Sequence, residues 1–203
     1  MFIQIMQGKC SREDEMRAAL DRWRAELEPG AEGWLGGTYG FTDDGTFVGV
    51  VRFASEEAAR RNSERPEQGR WWAETERLFD GPVEFHDCRD VTMMLEGGSD
   101  DAGFVQVIRG KVDDPGQVRS MIEQTSGSLH EARPEIIGAT FAVEDDGTFT
   151  ETVAFTDEAT ARANESMEMP AEMQERVAQM QDQMHDVEYM DLHRPWFATH
   201  QEG

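Results

Sequence analysis

Apolar and polar positions along this chain alternate between a strand period and a helix period, and the order of the changes predicts the architecture. Phe2 to Gly8 is an apolar-rich run of strand length. Ser11, Glu13 and Asp14 make an acidic helix start, after which Met16, Leu20, Trp23 and Leu27 recur at helical spacing up to the stop at Pro29-Gly30. Two strand-like segments follow, Trp34 to Phe41 and Thr46 to Phe53, joined by Thr42-Asp43-Asp44-Gly45, whose Asp-Gly signals a hairpin. A second helix opens at Ser55 with Glu56 and Glu57, is interrupted at Pro66, and resumes from Trp71 to Phe79. Val83 to Arg89 is the last strand of the set.

The same order then returns. FIQIMQGK at Phe2–Lys9 reappears as FVQVIRGK at Phe104–Lys111, and DDGTF at Asp43–Phe47 as DDGTF at Asp145–Phe149, both with a shift of 104 − 2 = 145 − 43 = 102. Arg17, Leu27, Gly36, Thr38, Arg60 and Asn62 match Arg119, Leu129, Gly138, Thr140, Arg162 and Asn164. Val83–Phe85 matches Val187–Tyr189 with a shift of 187 − 83 = 104, so the second copy has gained two residues near its last helix. Its predicted elements are Phe104 to Gly110, Pro115 to Leu129, Ile136 to Val143, Thr148 to Phe155, a helix from Asp157 to Met184, and Val187 to Leu192. A period this long lies outside the range of solenoid repeats, about 20–50 residues, and reads as two duplicated domains.

Each copy is βαββαβ, the ferredoxin-like unit of four antiparallel strands with two helices on one face, which makes the chain an α+β protein. Ile3 and Ile5 give the sheet a second apolar face that one copy alone leaves wet. The expectation is therefore two repeats packed sheet to sheet as an intramolecular dimeric α/β barrel. Residues 1–95 form the first repeat, the EGGSDDA segment 96–102 a tether, and 103–203 the second repeat with a C-terminal tail. Such a pseudo-dimer is compatible with a monomeric chain.

Composition narrows the partners. Forty-two acidic against 19 basic residues give 203 residues a formal charge of −23, which excludes nucleic acid and anionic membrane surfaces as natural partners, since both are held by Lys and Arg. Only Lys9 and Lys111 are lysines. Cys10 and Cys88 lack C-x-x-C spacing and face Val112 and Leu192 in the other copy, so they read as thiols in a reducing compartment. No run approaches the roughly 18 apolar residues of a membrane span, and the N-terminus has no signal-like leader, so a cytoplasmic protein is expected.

The βαββαβ order, about 100 residues per unit, and Phe53 followed by Ser55-Glu56-Glu57-Ala58-Ala59 at a helix start together resemble the antibiotic biosynthesis monooxygenase (ABM)-like domains of the dimeric α/β-barrel superfamily, here as a tandem pair. The resemblance implies a site between the sheet and the two helices of a unit. It also implies a range of activities: cofactor-free oxygenation of aromatic polyketides, haem degradation, or none. The Asn, Trp and axial His of haem-degrading members fall by position on Gln7, Asn62 and Trp72. None of the three types is kept, and the iron ligand is missing, so no haem, metal or other cofactor is expected.

What remains is a different polar and aromatic set in the first copy. A cofactor-free oxygenase lets the substrate itself reduce O₂, so it needs a dry aromatic pocket, a proton acceptor and neutral donors for the resulting anion. Asn62 and Trp72 are candidate donors, His86 the candidate base, and Gln7, Tyr39, Arg52 and Trp71 candidate substrate contacts for a small apolar or aromatic molecule. Each has a structural alternative: Asn62 as a local cap before Pro66, Trp71 and Trp72 as core, His86 as a surface residue. In the second copy Arg109, Phe141 and Ala154 replace Gln7, Tyr39 and Arg52, and Met173, Val177, Met180 and Met184 form a helical stripe. His193 with Asp191 is a weak pair there. Function is thus expected in the first copy, as a monooxygenase-like activity or, alternatively, as non-catalytic small-molecule binding or a stress-associated role.

Overall fold

The computed structural model describes residues 1–98, 100–165 and 170–199. The first repeat supplies β1 (Phe2–Lys9), α1 (Glu13–Glu26), β2 (Trp34–Phe41), β3 (Thr46–Phe53), α2 (Glu56–Ser63), α3 (Pro66–Thr75) and β4 (Glu84–Cys88). After β5 (Asp90–Met94), the second supplies β6 (Phe104–Val112), α4 (Pro115–Ala132), β7 (Ile136–Val143), β8 (Thr148–Phe155), α5 (Glu158–Asn164), α6 (Ala171–Gln181) and β9 (Met184–Leu192), and the chain continues into β10 (Trp196–Thr199). All strand pairs are antiparallel, in two five-stranded sheets ordered β10-β2-β3-β1-β4 and β5-β7-β8-β6-β9. This is the expected α+β arrangement of two ferredoxin-like repeats.

Each sheet has one strand more than its repeat provides, and the fifth comes from the other repeat's sequence. One compact unit is Met1–Arg89 with β10; the other is Asp90–Pro195 and includes β5. The boundary expected near residue 95 therefore differs from the compact units by two exchanged strands. They escape notice in the sequence because Val83 to Arg89 looks complete, while β10 is only four residues long, Trp196–Thr199.

Residues common to both copies hold the exchanged strands. The Arg17 guanidinium lies 4.0 Å above the Trp196 ring at the start of β10, while its counterpart Arg119 pairs with Asp90 at the start of β5. Gly36 and Gly138 follow bulges in β2 and β7. A Cβ on Gly36 would stand 2.7 Å from the Ala198 carbonyl oxygen, and one on Gly138 1.8 Å from that of Gly97. Gly36 also has φ +138°, a conformation that L side chains rarely adopt. The turn after β5, with Leu95, Glu96 and Gly97 all at positive φ, is thus docked on β7, where a tether was expected. The chain leaves each repeat past another matched contact: Arg89 forks onto Glu56 at 2.6 and 2.7 Å, and His193 Nδ1 lies 2.7 Å from Glu158, the partner it takes in place of Asp191.

The two lysines have matching work as well. Lys9 Nζ lies 2.6 Å from Asp44 and Lys111 Nζ 2.7 Å from Asp146, each closing an Asp-Gly hairpin from the neighbouring strand. Hydrogen bonds from these lysines and from Thr42 or Thr148 hold both carboxyls well below the usual carboxylate range.

Helix starts follow their sequence signals: Ser55 Oγ accepts from the Ala58 N–H, and Asp157 accepts from that of Thr160. The single helix expected from Asp157 to Met184 is instead α5 and α6, with residues 166–169 outside those described. Its methionine stripe is shortened accordingly. Met184 opens β9 opposite Val112, because the helix has already ended at Gln181, and Met173 lies outside the described side chains.

Two stability measurements test the docking. Gly36→Ala should lower the unfolding free energy by about 1–3 kcal/mol in denaturant titration, since both the contact and the φ oppose a methyl group. Trp196→Ala, which deletes a half-buried ring packed on Tyr39, Phe41 and Phe47, should cost about 2–4 kcal/mol; a loss of only a few tenths would show that β10 adds little to the unit.

A candidate aromatic site in the first unit

Strand parity decides what can enter the space between the first sheet and its helices. Phe2, Met6, Tyr39, Phe47 and Phe53 belong to the core on the helix side. Residues opposite them in register, such as Phe85 opposite Met6, share that side. Ile3, Ile5, Val48 and Val50, of the other parity, are buried on the opposite face.

On the helix side lies a cavity of about 350 Å³, within the usual range for small-molecule sites. Trp23, Trp34, Tyr39, Phe53, Trp71, Trp72 and Phe85 supply its aromatic walls, and Gln4, Asn62, Ser63 and Gln68 its polar groups. Exposed Ser63, Gly69 and Phe85 mark the side on which it meets solvent. The floor depends on two glycines: a Cβ on Gly37 would fall 2.2 Å from the Tyr39 hydroxyl and one on Gly49 3.1 Å from its ring, so the phenol lies flat across the sheet. Burial pushes the Tyr39 phenol well above its ordinary pKa and keeps it neutral.

The walls are fixed by their own hydrogen bonds. Trp71 Nε1 donates to the Ala19 carbonyl at 2.9 Å, and Trp23 Nε1 to Gln68 Oε1 at 2.6 Å. Trp23 packs edge-on against Trp34 and Trp71, with centroids 5.1 and 6.4 Å away, and Trp72 stands edge-on to Phe85 at 5.1 Å. Arg65 donates to Asn62 Oδ1 at 2.9 Å while gripping the Leu27 carbonyl, so buried Asn62 keeps its NH₂ for other partners. Gln68 is left with its NH₂ in the same way. Trp72 Nε1 has no hydrogen-bond partner among the described residues. Gln4 donates to Asp87 at 2.8 Å, leaving its carbonyl oxygen as an acceptor.

Four of the seven expected residues therefore meet here: Tyr39, Asn62, Trp71 and Trp72. The other three do not. Gln7, Arg52 and His86 have the parity of Ile3 and Ile5 and lie on the opposite face, where Gln7 donates to Glu84 at 2.9 Å, Arg52 to Thr38 at 3.2 Å, and His86 stands across from Ile5. Because β1 and β3 are apolar on both faces, alternation could not tell which face the helices cover. Gln4, Gln68, Trp23 and Trp34 were not anticipated in the site; the signal available for Gln4 was its parity with Phe2 and Met6. Among the described residues no imidazole or carboxylate lines the cavity. Among the described residues no group of three or more His, Cys, Asp or Glu could hold a metal ion, and no helix is long and apolar enough to cross a membrane.

No family model and no curated protein matches the chain in sequence. Solved structures match it along nearly its whole length. A candidate monooxygenase from Lactobacillus acidophilus NCFM superimposes with a TM-score of 0.73 at 13% identity, covering 98% of this chain and 95% of its own. Another, from Fusobacterium nucleatum subsp. nucleatum, gives 0.72 at 12% identity over 98% and 94%. An anthrone oxidase-like protein gives 0.65 at 7% identity over 98% and 92%. At such identities the likeness is one of fold: the chain carries the tandem ferredoxin-like fold of these structures.

Proposed function

We propose that the first unit's cavity binds a small planar aromatic or polyketide-type molecule and promotes its cofactor-independent oxygenation. The observation that carries this reading is the combination of aromatic walls with neutral N–H donors from Asn62, Gln68 and Trp72 around one space. A substrate with an acidic CH₂ beside an aromatic ketone would lose a proton to give a delocalised enolate. That anion passes electrons to O₂; a C–O bond forms, the O–O bond breaks, and the CH₂ becomes a carbonyl with release of water. Neutral amide and indole donors suit such an anion because they stabilise spread charge without trapping it as an ion pair. With His86 on the other face and no carboxylate in the lining, the substrate's own acidity releases the proton to water at the cavity's exposed side, and a proton is taken up again when water forms.

A second reading is favoured by one observation, the absence of any imidazole or carboxylate from the cavity lining: the site holds the aromatic molecule without turnover. All five tryptophans, Trp23, Trp34, Trp71, Trp72 and Trp196, belong to the first unit, so indole fluorescence reports on this cavity. A hydroxyanthrone or quinol probe that quenches it saturably while O₂ uptake stays at the uncatalysed rate would establish binding alone.

For the catalytic reading, Trp72→Phe combined with Asn62→Ala should lower O₂ uptake with that probe by about 100-fold or more, the usual effect of removing anion donors, and leave the fold intact by circular dichroism. Wild-type rates in the double variant would overturn it. Gly37→Ala, whose methyl would collide with the Tyr39 hydroxyl, should raise the KM or Kd for the probe by about tenfold, equivalent to roughly 1.4 kcal/mol, through displacement of the floor.

A further inference from the structure

We infer that the second unit has a ligand site of its own, built on Glu151 and taking a small hydrophobic ammonium ion. In the first unit the row Tyr39–Gly49–Met6–Phe85 runs across the sheet on the helix side, and three of its members line the aromatic cavity. The matching row in the second unit is Phe141–Glu151–Ile108–Tyr189. A carboxylate thus stands where the first sheet has the glycine that admits its phenol. Along its own strand Glu151 is flanked on that side by Phe149 and Val153, both buried in the second core. Apolar side chains surround it on all four sides.

Glu151 is half-buried, makes no hydrogen bond or ion pair among the described residues, and its row ends in Tyr189, which is 63% exposed. Neighbouring cations are engaged elsewhere: Arg162 with Asp191, Glu158 and Glu165, Arg119 with Asp90, Arg133 with Glu135, and Arg176 with Glu172. Glu123 and Glu131 on α4 and Glu175 and Asp182 at α6 are exposed. Among the described residues no cation completes Glu151, so the complementary charge is one supplied from outside. An ammonium group on an apolar or aromatic body supplies both the missing charge and contacts for Ile108, Phe141 and Tyr189, and the protein's charge of −23 draws cations toward it.

Burial alone pushes the Glu151 carboxyl up to about 7. Capture of an ammonium ion at pH 6 then expels the proton held by the empty site, whereas at pH 8.5 the carboxylate is already ionised. Titration calorimetry of the full chain with 2-phenylethylammonium, in buffers of different ionisation enthalpy, reads this directly. The expected result is release of most of a proton per site at pH 6 and little at pH 8.5, as a carboxyl pushed up to about 7 by burial requires. Binding at pH 8.5 should exceed that of neutral 2-phenylethanol by about tenfold or more, and Glu151→Gln should abolish this preference, consistent with loss of a charge-assisted contact. Glu151→Gln should unfold at pH 8.5 at or above the wild-type temperature, so its loss of binding cannot be assigned to misfolding. Absence of binding by wild type, equal affinity for amine and alcohol, or an unchanged preference in Glu151→Gln would each overturn the proposal.

Discussion

The fit of one extended backbone segment against a glycine-bearing strand is the constraint on which both units depend. A sheet edge offers unpaired N–H and C=O groups, and here the outer side of β2 and of β7 is each covered by a strand that belongs in sequence to the other repeat. Close approach of Ala198 to Gly36 and of Gly97 to Gly138 leaves no room for a side chain, and an arginine from the first helix of each unit fixes the incoming end. The glycine, the bulge beside it and the arginine are parts of one docking arrangement present twice. Each repeat is incomplete without the four or five residues that the other contributes.

The repeat in the sequence made the order of elements legible, and with it the fold. The sequence held the evidence for strand exchange too, since Arg17, Gly36 and their counterparts are among the few matched positions. It could not be interpreted without knowing which backbone lies against the glycines. The long helix expected in the second repeat failed for a more ordinary reason: periodicity persists across Pro170, although the residue before a proline is pushed out of the helical region.

The site was legible where residues are helical or aromatic and illegible where they depend on strand parity. Asn62, Trp71 and Trp72 come from helices packed on one side of the sheet, so the positions that the resemblance picked out meet in one space. Gln7, Arg52 and His86 come from strands buried on both faces, where a polar residue has even odds of pointing either way. The same limit hid Glu151, whose environment is set by cross-strand neighbours distant in sequence, Ile108 and Phe141. The two interiors have diverged within one scaffold: tryptophans and amides in the first, an isolated acid in the second.

The two lysines give the duplicated hairpins a chemical identity as well as a structural one. Lys9 and Lys111 are the only side-chain amines in the chain, and both are committed to an aspartate in the turn between the middle strands of a repeat. Every reagent, cross-linker or modifying enzyme that seeks a lysine must therefore act on these two turns. Acylating them would strip each hairpin of its ion pair and take the net charge from −23 to −25, two fewer positive charges on an already acidic surface.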